Sequence, residues 1–150
     1  MPSIEFSNVG IELQSAPIEP SWVQGGRPIA RNKLLSVSKD TTACTLVWDC
    51  SPGRFDWHYD KDETIHILSG RAILDDGTQP PRTIRPGDVV FIPAGSCVHW
   101  VVEEHIRKLA FFRRTLPAPL HHAIRAVRWL RSWRAGNRAS DWMGPPSPQV

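Results

Sequence analysis

Glu63 opens a strand that is otherwise apolar or β-forming, with Ile65, Ile67 and Leu68 following it. If Glu63 points inward, the lone carboxylate needs a cation or a hydrogen-bond partner, because an unpaired buried charge is costly. Lys108 raises the complementary question. In the run Ile106–Phe112, residues 106, 108, 110 and 112 share one strand face, and Ile106, Ala110 and Phe112 are apolar. A lysine on that face is equally expensive to bury alone, and a Glu63–Lys108 ion pair would satisfy both groups. The plainer reading leaves Lys108 in solvent on an edge strand, where lysines are common. His58 and His99 bring imidazoles, which suit Mn, Fe, Ni and Zn alike. Trp57, Tyr59 and Trp100 bring aromatic surface that can close a pocket over a flat or apolar substrate. The same aromatics can equally be core filling.

The elements that must position these residues are short strands. Cys44–Cys50 (CTLVWDC) is rich in β-formers and runs into Ser51-Pro52-Gly53. Phe55–Tyr59 alternates. Glu63–Ser69 stops at Gly70, Arg71–Leu74 follows, and Asp75-Asp76-Gly77 is a tight hairpin signal. Val89–Ile92 ends at Pro93, and Val98–Val102 and Ile106–Phe112 complete the set. Strands at this spacing, with a turn signal between each, argue an antiparallel sandwich or barrel. His66 has the opposite parity to Glu63 and is expected to face away from it. A helical pattern begins only after Pro119, where Leu120, Ile124, Val127 and Leu130 follow the i, i+3, i+4 rule.

The chain has 150 residues, enough for one domain with a real core, and its 14 prolines and 10 glycines suit strands joined by turns. No apolar run is long enough to span a bilayer, and the N-terminus lacks the basic start and apolar stretch of a signal peptide. A cytoplasmic location is expected. Cys44, Cys50 and Cys97 have no C-x-x-C spacing, so reduced, apolar side chains are expected rather than a disulfide framework or a cysteine zinc site. Residues 1–112 carry eleven Lys/Arg against fourteen Asp/Glu, whereas 113–138 carry seven arginines and no acid. Arg125, Arg128, Arg131 and Arg134 form a stripe on the last helix. No nucleic-acid-binding motif accompanies it, so a solvated face or a clasp on an acidic surface is the main reading. Trp129 and Trp133 beside the arginines keep an anionic membrane surface as the lesser one.

Two blocks together resemble the two motifs of the cupin family. The first is GRFDWHYDKDETIHILSG, Gly53–Gly70, and the second is GDVVFIPAGSCVHW, Gly87–Trp100. The texture around Trp48–Phe55, Asp62-Glu63, Ile67–Gly70, Pro93–Gly95, Trp100 and Arg107-Lys108 is similar to one branch of that family. It is the branch with the ureidoglycine aminohydrolase-like and EutQ-like cupins. The first motif implies a His pair before a Glu. Counted back from Glu63 with a four-residue gap, the pair falls on Asp56 and His58; with a three-residue gap it falls on Trp57 and Tyr59. The first register implies a divalent metal (Mn, Fe, Ni or Zn) held by Asp56, His58 and Glu63. In the second motif Gly87, Pro93 and Gly95 fit, but Val98 stands in the place of the His. His99 is one residue late and would need a bulge to turn inward as a further ligand.

The expectation is an all-β fold, a cupin jelly-roll barrel or double-stranded β-helix. An irregular arm covers residues 1–30, with Trp22 as its anchor, and the barrel covers 31–115. A basic amphipathic helix covers 116–135 and a flexible tail 136–150. The expected function is a small-molecule enzyme, a hydrolase, isomerase or lyase of a polar metabolite. Glu63, His58 and Lys108 would be its catalytic groups and Trp57, Tyr59 and Trp100 its substrate contacts. The alternative is a metal-free module for ligand binding or assembly, held by Glu63 and Lys108. A homodimer is expected in either case, and no nucleic-acid partner.

Overall fold

The computed structural model describes residues 3–134. The chain divides into two compact units at residues 115 and 116. The first unit holds nine strands: β1 (Gln14–Ser15), β2 (Val23–Gly26), β3 (Ala30–Val37), β4 (Ala43–Cys50), β5 (Gly53–His58), β6 (Asp62–Asp75), β7 (Arg82–Ile84), β8 (Val89–Ile92) and β9 (Cys97–Arg113). Every pairing among them is antiparallel. The jelly-roll expectation therefore holds in architecture.

The turn signals at Ser69-Gly70 and after Val102 suggested four strands where the structure has two. β6 runs unbroken for 14 residues and β9 for 17. The two pair with each other along most of their length, with register shifts between Ile67 and Ser69 and between Gly70 and Ala72. Bulges of this kind bend a strand without ending it. The bend splits the sheet into two halves that share β6 and β9. One half is β1-β3-β4-β9-β6-β8 and the other β2-β5-β9-β6-β7. Both contribute to one core, with Cys50, Ile65, Ile67, Ile92, Ile106 and Ala110 from the first and Phe55, Ala72, Ile84, Val98, Trp100 and Val102 from the second.

The arm is more ordered than its composition suggested. β1 adds to the edge of β3, β2 pairs with β5, and a 3₁₀ turn covers Pro20–Trp22. Trp22 packs edge-on against Trp57 at 5.3 Å and His58 at 5.1 Å between ring centroids. A buried carboxylate helps hold the arm. Asp49 accepts from Arg31 Nε and Nη2 at 3.0 and 2.8 Å and from Arg107 Nη1 at 3.3 Å. Arg107 in turn donates to the carbonyls of Val9 and Ile11. An Asp on a β-strand is thus satisfied by planar guanidinium forks, the geometry that favours arginine over lysine.

In the second unit, α1 spans Ala118–Arg134. Leu120, Ile124 and Val127 share a face at i, i+4 and i+7. The side chains of Arg128, Trp129, Arg131, Trp133 and Arg134, which carried most of the basic stripe, lie outside the described residues, as does the tail 136–150. Among the described residues no helix is long and apolar enough to cross a membrane.

Candidate functional site

Strand register puts the chemistry on the inner face. In the first half of the sheet, Lys108 lies between Trp48 and Ile67, while Phe112, four residues further along the same face, lies beside Glu63, whose other neighbour is Ile92. Lys108 Nζ donates to Glu63 Oε1 at 2.7 Å, and the two side chains are 7% and 1% exposed. The ammonium also sits 5.0 Å from the ring centroids of Trp48 and Trp100, within range of a cation–π attraction. The other carboxylate oxygen, Glu63 Oε2, is buried without a partner among the described residues. Trp100 Nε1 donates to the Tyr59 hydroxyl at 3.1 Å. Burial pushes the Tyr59 phenol well above its ordinary pKa, and the Glu63 charge adds to the rise. Tyr59 therefore keeps its proton. Trp57, Tyr59 and Trp100 all belong to this aromatic interior, where Trp100 stacks on Phe55 at 6.0 Å.

The proposed metal ligands are not brought together. β5 pairs with β9 in unbroken register from Gly53 opposite Val102 to His58 opposite Cys97. Phe55 faces the core, so Trp57 does too, while Asp56 and His58 face outward. The same unbroken register lacks the bulge that His99 needed. His99 instead pairs on the outer face, its Nδ1 2.6 Å from Asp56 Oδ1. His58 is exposed and lies against Trp22. Val98 occupies the inward position at 4% exposure. Among the described residues no three His, Cys, Asp or Glu side chains are grouped to hold a metal ion. The set Asp56, His58, Glu63 and His99 is thus corrected to one inward carboxylate and an outer His–Asp pair. The residues present do not fit a divalent cation, since the ammonium of Lys108 already stands beside Glu63.

A cleft of about 350 Å³ opens between the edge strands β7 and β8. Leu74, Ile84, Ile92 and Val98 give it an apolar lining, and Arg82, Asp88 and Ser96 are among its polar groups. Ile92 and Val98 also belong to the core, so they form a wall between the cleft and the interior that holds Glu63. The loop that closes this end is pinned from two sides. Tyr59 N donates to Ser96 O and Gly95 N to Tyr59 O, while Ala94 N donates to Asp62 Oδ1 at 3.0 Å. The bond from Ala94, then that from Arg113, holds the Asp62 carboxyl below its usual pKa. A carboxyl depressed in the folded state contributes stability above its unfolded pKa of about 3.9, and that contribution is lost as pH falls through the lower, folded value. Asp62→Asn should therefore lower the melting temperature at neutral pH, and the difference from wild type should shrink as pH falls below the ordinary carboxylate range, as followed by thermal melts across the acid range.

The comparisons with known proteins agree with this architecture. The model of the EutQ-like cupin domain matches residues 37–110. Residues 37–110 form a EutQ-like cupin domain of the cupin superfamily. Among solved structures, this cupin is similar to a putative ethanolamine utilization protein Q from Salmonella typhimurium LT2. The identity is 20%, the match covers 70% of this chain and 96% of that one, and the TM-score is 0.53. A protein of unknown function from Pseudomonas syringae pv. tomato matches at 23% identity and TM-score 0.65, over 70% of this chain and 46% of that one. This cupin therefore spans less than half of the Pseudomonas protein. KdgF from Halomonas sp. matches at 14% identity and TM-score 0.54, over 75% of this chain and 96% of that one. At these identities the similarity speaks for the fold. No curated protein matches the sequence.

Three residues of this site were not anticipated. Trp48 forms one wall around the Lys108 ammonium, and its parity with Cys50 could have shown it. Arg82 and Asp88 lie on the cleft, and Arg82 shares its strand face with Ile84, a signal present in the sequence but obscured by the preceding Pro80-Pro81.

Proposed function

We propose that this cupin binds a small polar molecule without a metal ion. The Glu63–Lys108 pair carries the reading: an ammonium 2.7 Å from the inward carboxylate supplies the positive charge that a cation would otherwise bring. The cleft between β7 and β8, in the size range of small-molecule sites, provides the place for the ligand. Elemental analysis of the untagged protein should find no stoichiometric transition metal. Millimolar Mn, Fe, Ni or Zn should leave the melting temperature unchanged, whereas a ligand present at 100 times its Kd would add about 2.7 kcal/mol. A stoichiometric metal that is lost on Glu63→Gln would overturn the reading.

A second reading, an acid–base enzyme acting on a polar metabolite, is favoured by one observation. Glu63 Oε2 lacks a partner and lies close enough to Tyr59 for its charge to raise the phenol pKa. The carboxylate oxygen can take and return a proton, while the phenolic O–H, which keeps its own, can donate a hydrogen bond beside it. Isomerase, lyase or hydrolase chemistry that needs no metal fits that pair.

The homodimer belongs to the same proposal. Phe91, Thr64 and Phe111 form one cross-strand row on the outer face, and Val89, Phe91 and Phe111 are exposed there. An apolar strip of this kind on a sheet surface marks an association site. Light scattering should give a dimer mass at micromolar concentration, and Phe91→Lys should shift it toward the monomer.

A further inference from the structure

Arg82 is an arginine on the wrong face of a sheet. In the pairing of β6 with β7, Ala72 stands opposite Ile84 and Leu74 opposite Arg82. Arg82 and Ile84 are two residues apart, so they share a face, and Ile84 is 2% exposed in the core. Arg82 is thus in the inner-face register at the open edge of the sandwich, where its exposed side chain lines the cleft between β7 and β8. Arg82 is exposed and, among the described residues, its side chain has no hydrogen bond or ion pair, as is also true of Arg27, Arg54 and Arg85; of these only Arg82 lines the cleft, where its guanidinium is open to a ligand.

The two acids on the cleft are partly engaged elsewhere. Asp76 accepts from the Thr78 backbone N and Oγ1 within its own turn. Asp88 Oδ2 accepts from the Arg85 backbone N at 2.8 Å, which leaves Oδ1 able to accept a further hydrogen bond. The rest of the lining, Leu74, Ile84, Ile92 and Val98, suits a hydrocarbon body. A guanidinium fork, one carboxylate oxygen and an apolar floor together select a ligand with three parts: a carboxylate, a neighbouring hydroxyl and a compact apolar group.

Resting on the small-ligand reading above, we propose that Arg82 anchors the carboxylate of a small hydroxy acid in this cleft. Asp88 accepts from the hydroxyl, and the body packs on Ile84 and Val98. A planar bidentate contact is stronger and more directional than a lysine ammonium would give.

The probe is 3-phenyllactate, with 3-phenyllactamide as its uncharged counterpart, titrated at millimolar concentration into ¹⁵N-labelled full chain. The acid should shift amide signals of β7, β8 and the Pro93–Ser96 loop, and the amide should not. Arg82→Gln should weaken the acid at least tenfold, Arg82→Lys should weaken it less, and Arg85→Gln, outside the cleft, should leave it unchanged. If acid and amide shift the cleft residues equally, the carboxylate assignment falls while the small-ligand reading stands. If neither shifts them, or if Arg82→Gln binds the acid as wild type does, the proposal is overturned. The same holds if Arg82→Gln changes only solubility and self-association, since inward charges on an edge strand can serve solely to block strand pairing. A stoichiometric metal in the protein would instead remove the reading beneath it.

Discussion

Lys108→Met is expected to destabilise the fold by about 3–5 kcal/mol, the usual cost of leaving one member of a buried ion pair without its partner. Methionine keeps most of the lysine's length and can still pack against Trp48 and Trp100, so the loss reports charge rather than volume. Glu63 would then be a buried carboxylate whose Oε1 has lost its donor and whose Oε2 has no partner. Adding Glu63→Gln removes the charge while keeping the shape. The double variant should recover much of the loss, because a buried pair is costly to desolvate and removing both charges refunds that cost. In a protein of this size the single variant should melt roughly 10 °C or more below wild type. The measurement is a double-mutant cycle in urea, followed by tryptophan fluorescence. Additive effects of the two substitutions would show that the charges do not interact, and the ion pair would lose its place as the organiser of the interior.

That pair was legible because strand parity carries across an uninterrupted strand. Ile106, Ala110 and Phe112 fix the face of Lys108, and Ile65 and Ile67 fix that of Glu63. Asp56 and His58 were misplaced for the converse reason. Counting back from Glu63 crosses the turn at Asp60-Lys61, and parity does not survive a turn. The alternation through β5 and the residue after it, Phe55, Trp57, Tyr59, was the better guide, since the three aromatics face inward and the residues between them do not. The strand end at Ser69-Gly70 was misread because a bulge and a turn use the same residue types, and the one after Val102 because the polar run Glu103-Glu104-His105 interrupts the apolar pattern. Only the long-range pairing of β6 with β9 distinguishes them, and no local pattern contains it. The cleft could not be read at all from sequence spacing. It arises from the meeting of two edges, β7 and β8, that are held apart by different parts of β6.

Gly70→Ala should be among the most damaging single substitutions in the chain. Gly70 has φ +76, in the left-handed region, where a non-glycine residue pays about 1–3 kcal/mol of backbone strain. It also lies where β6 bends against β9. A Cβ built there would stand 1.8 Å from the carbonyl oxygen of His105 and 2.6 Å from its carbon. Neither is the end of a flexible side chain, so the backbone itself must move. Overpacking of a fixed site adds about 1–3 kcal/mol, and the shift would spread through the register of both long strands. Gly77→Ala is the control. Gly77 has φ +72, but a Cβ there meets nothing within 4 Å. It should therefore show the strain alone, and the difference between the two variants isolates the steric part. Urea unfolding of both would measure it. Equal losses would mean that β6 and β9 can separate at Gly70 without cost, and that the bulge is not what holds the two halves of the sheet over one core.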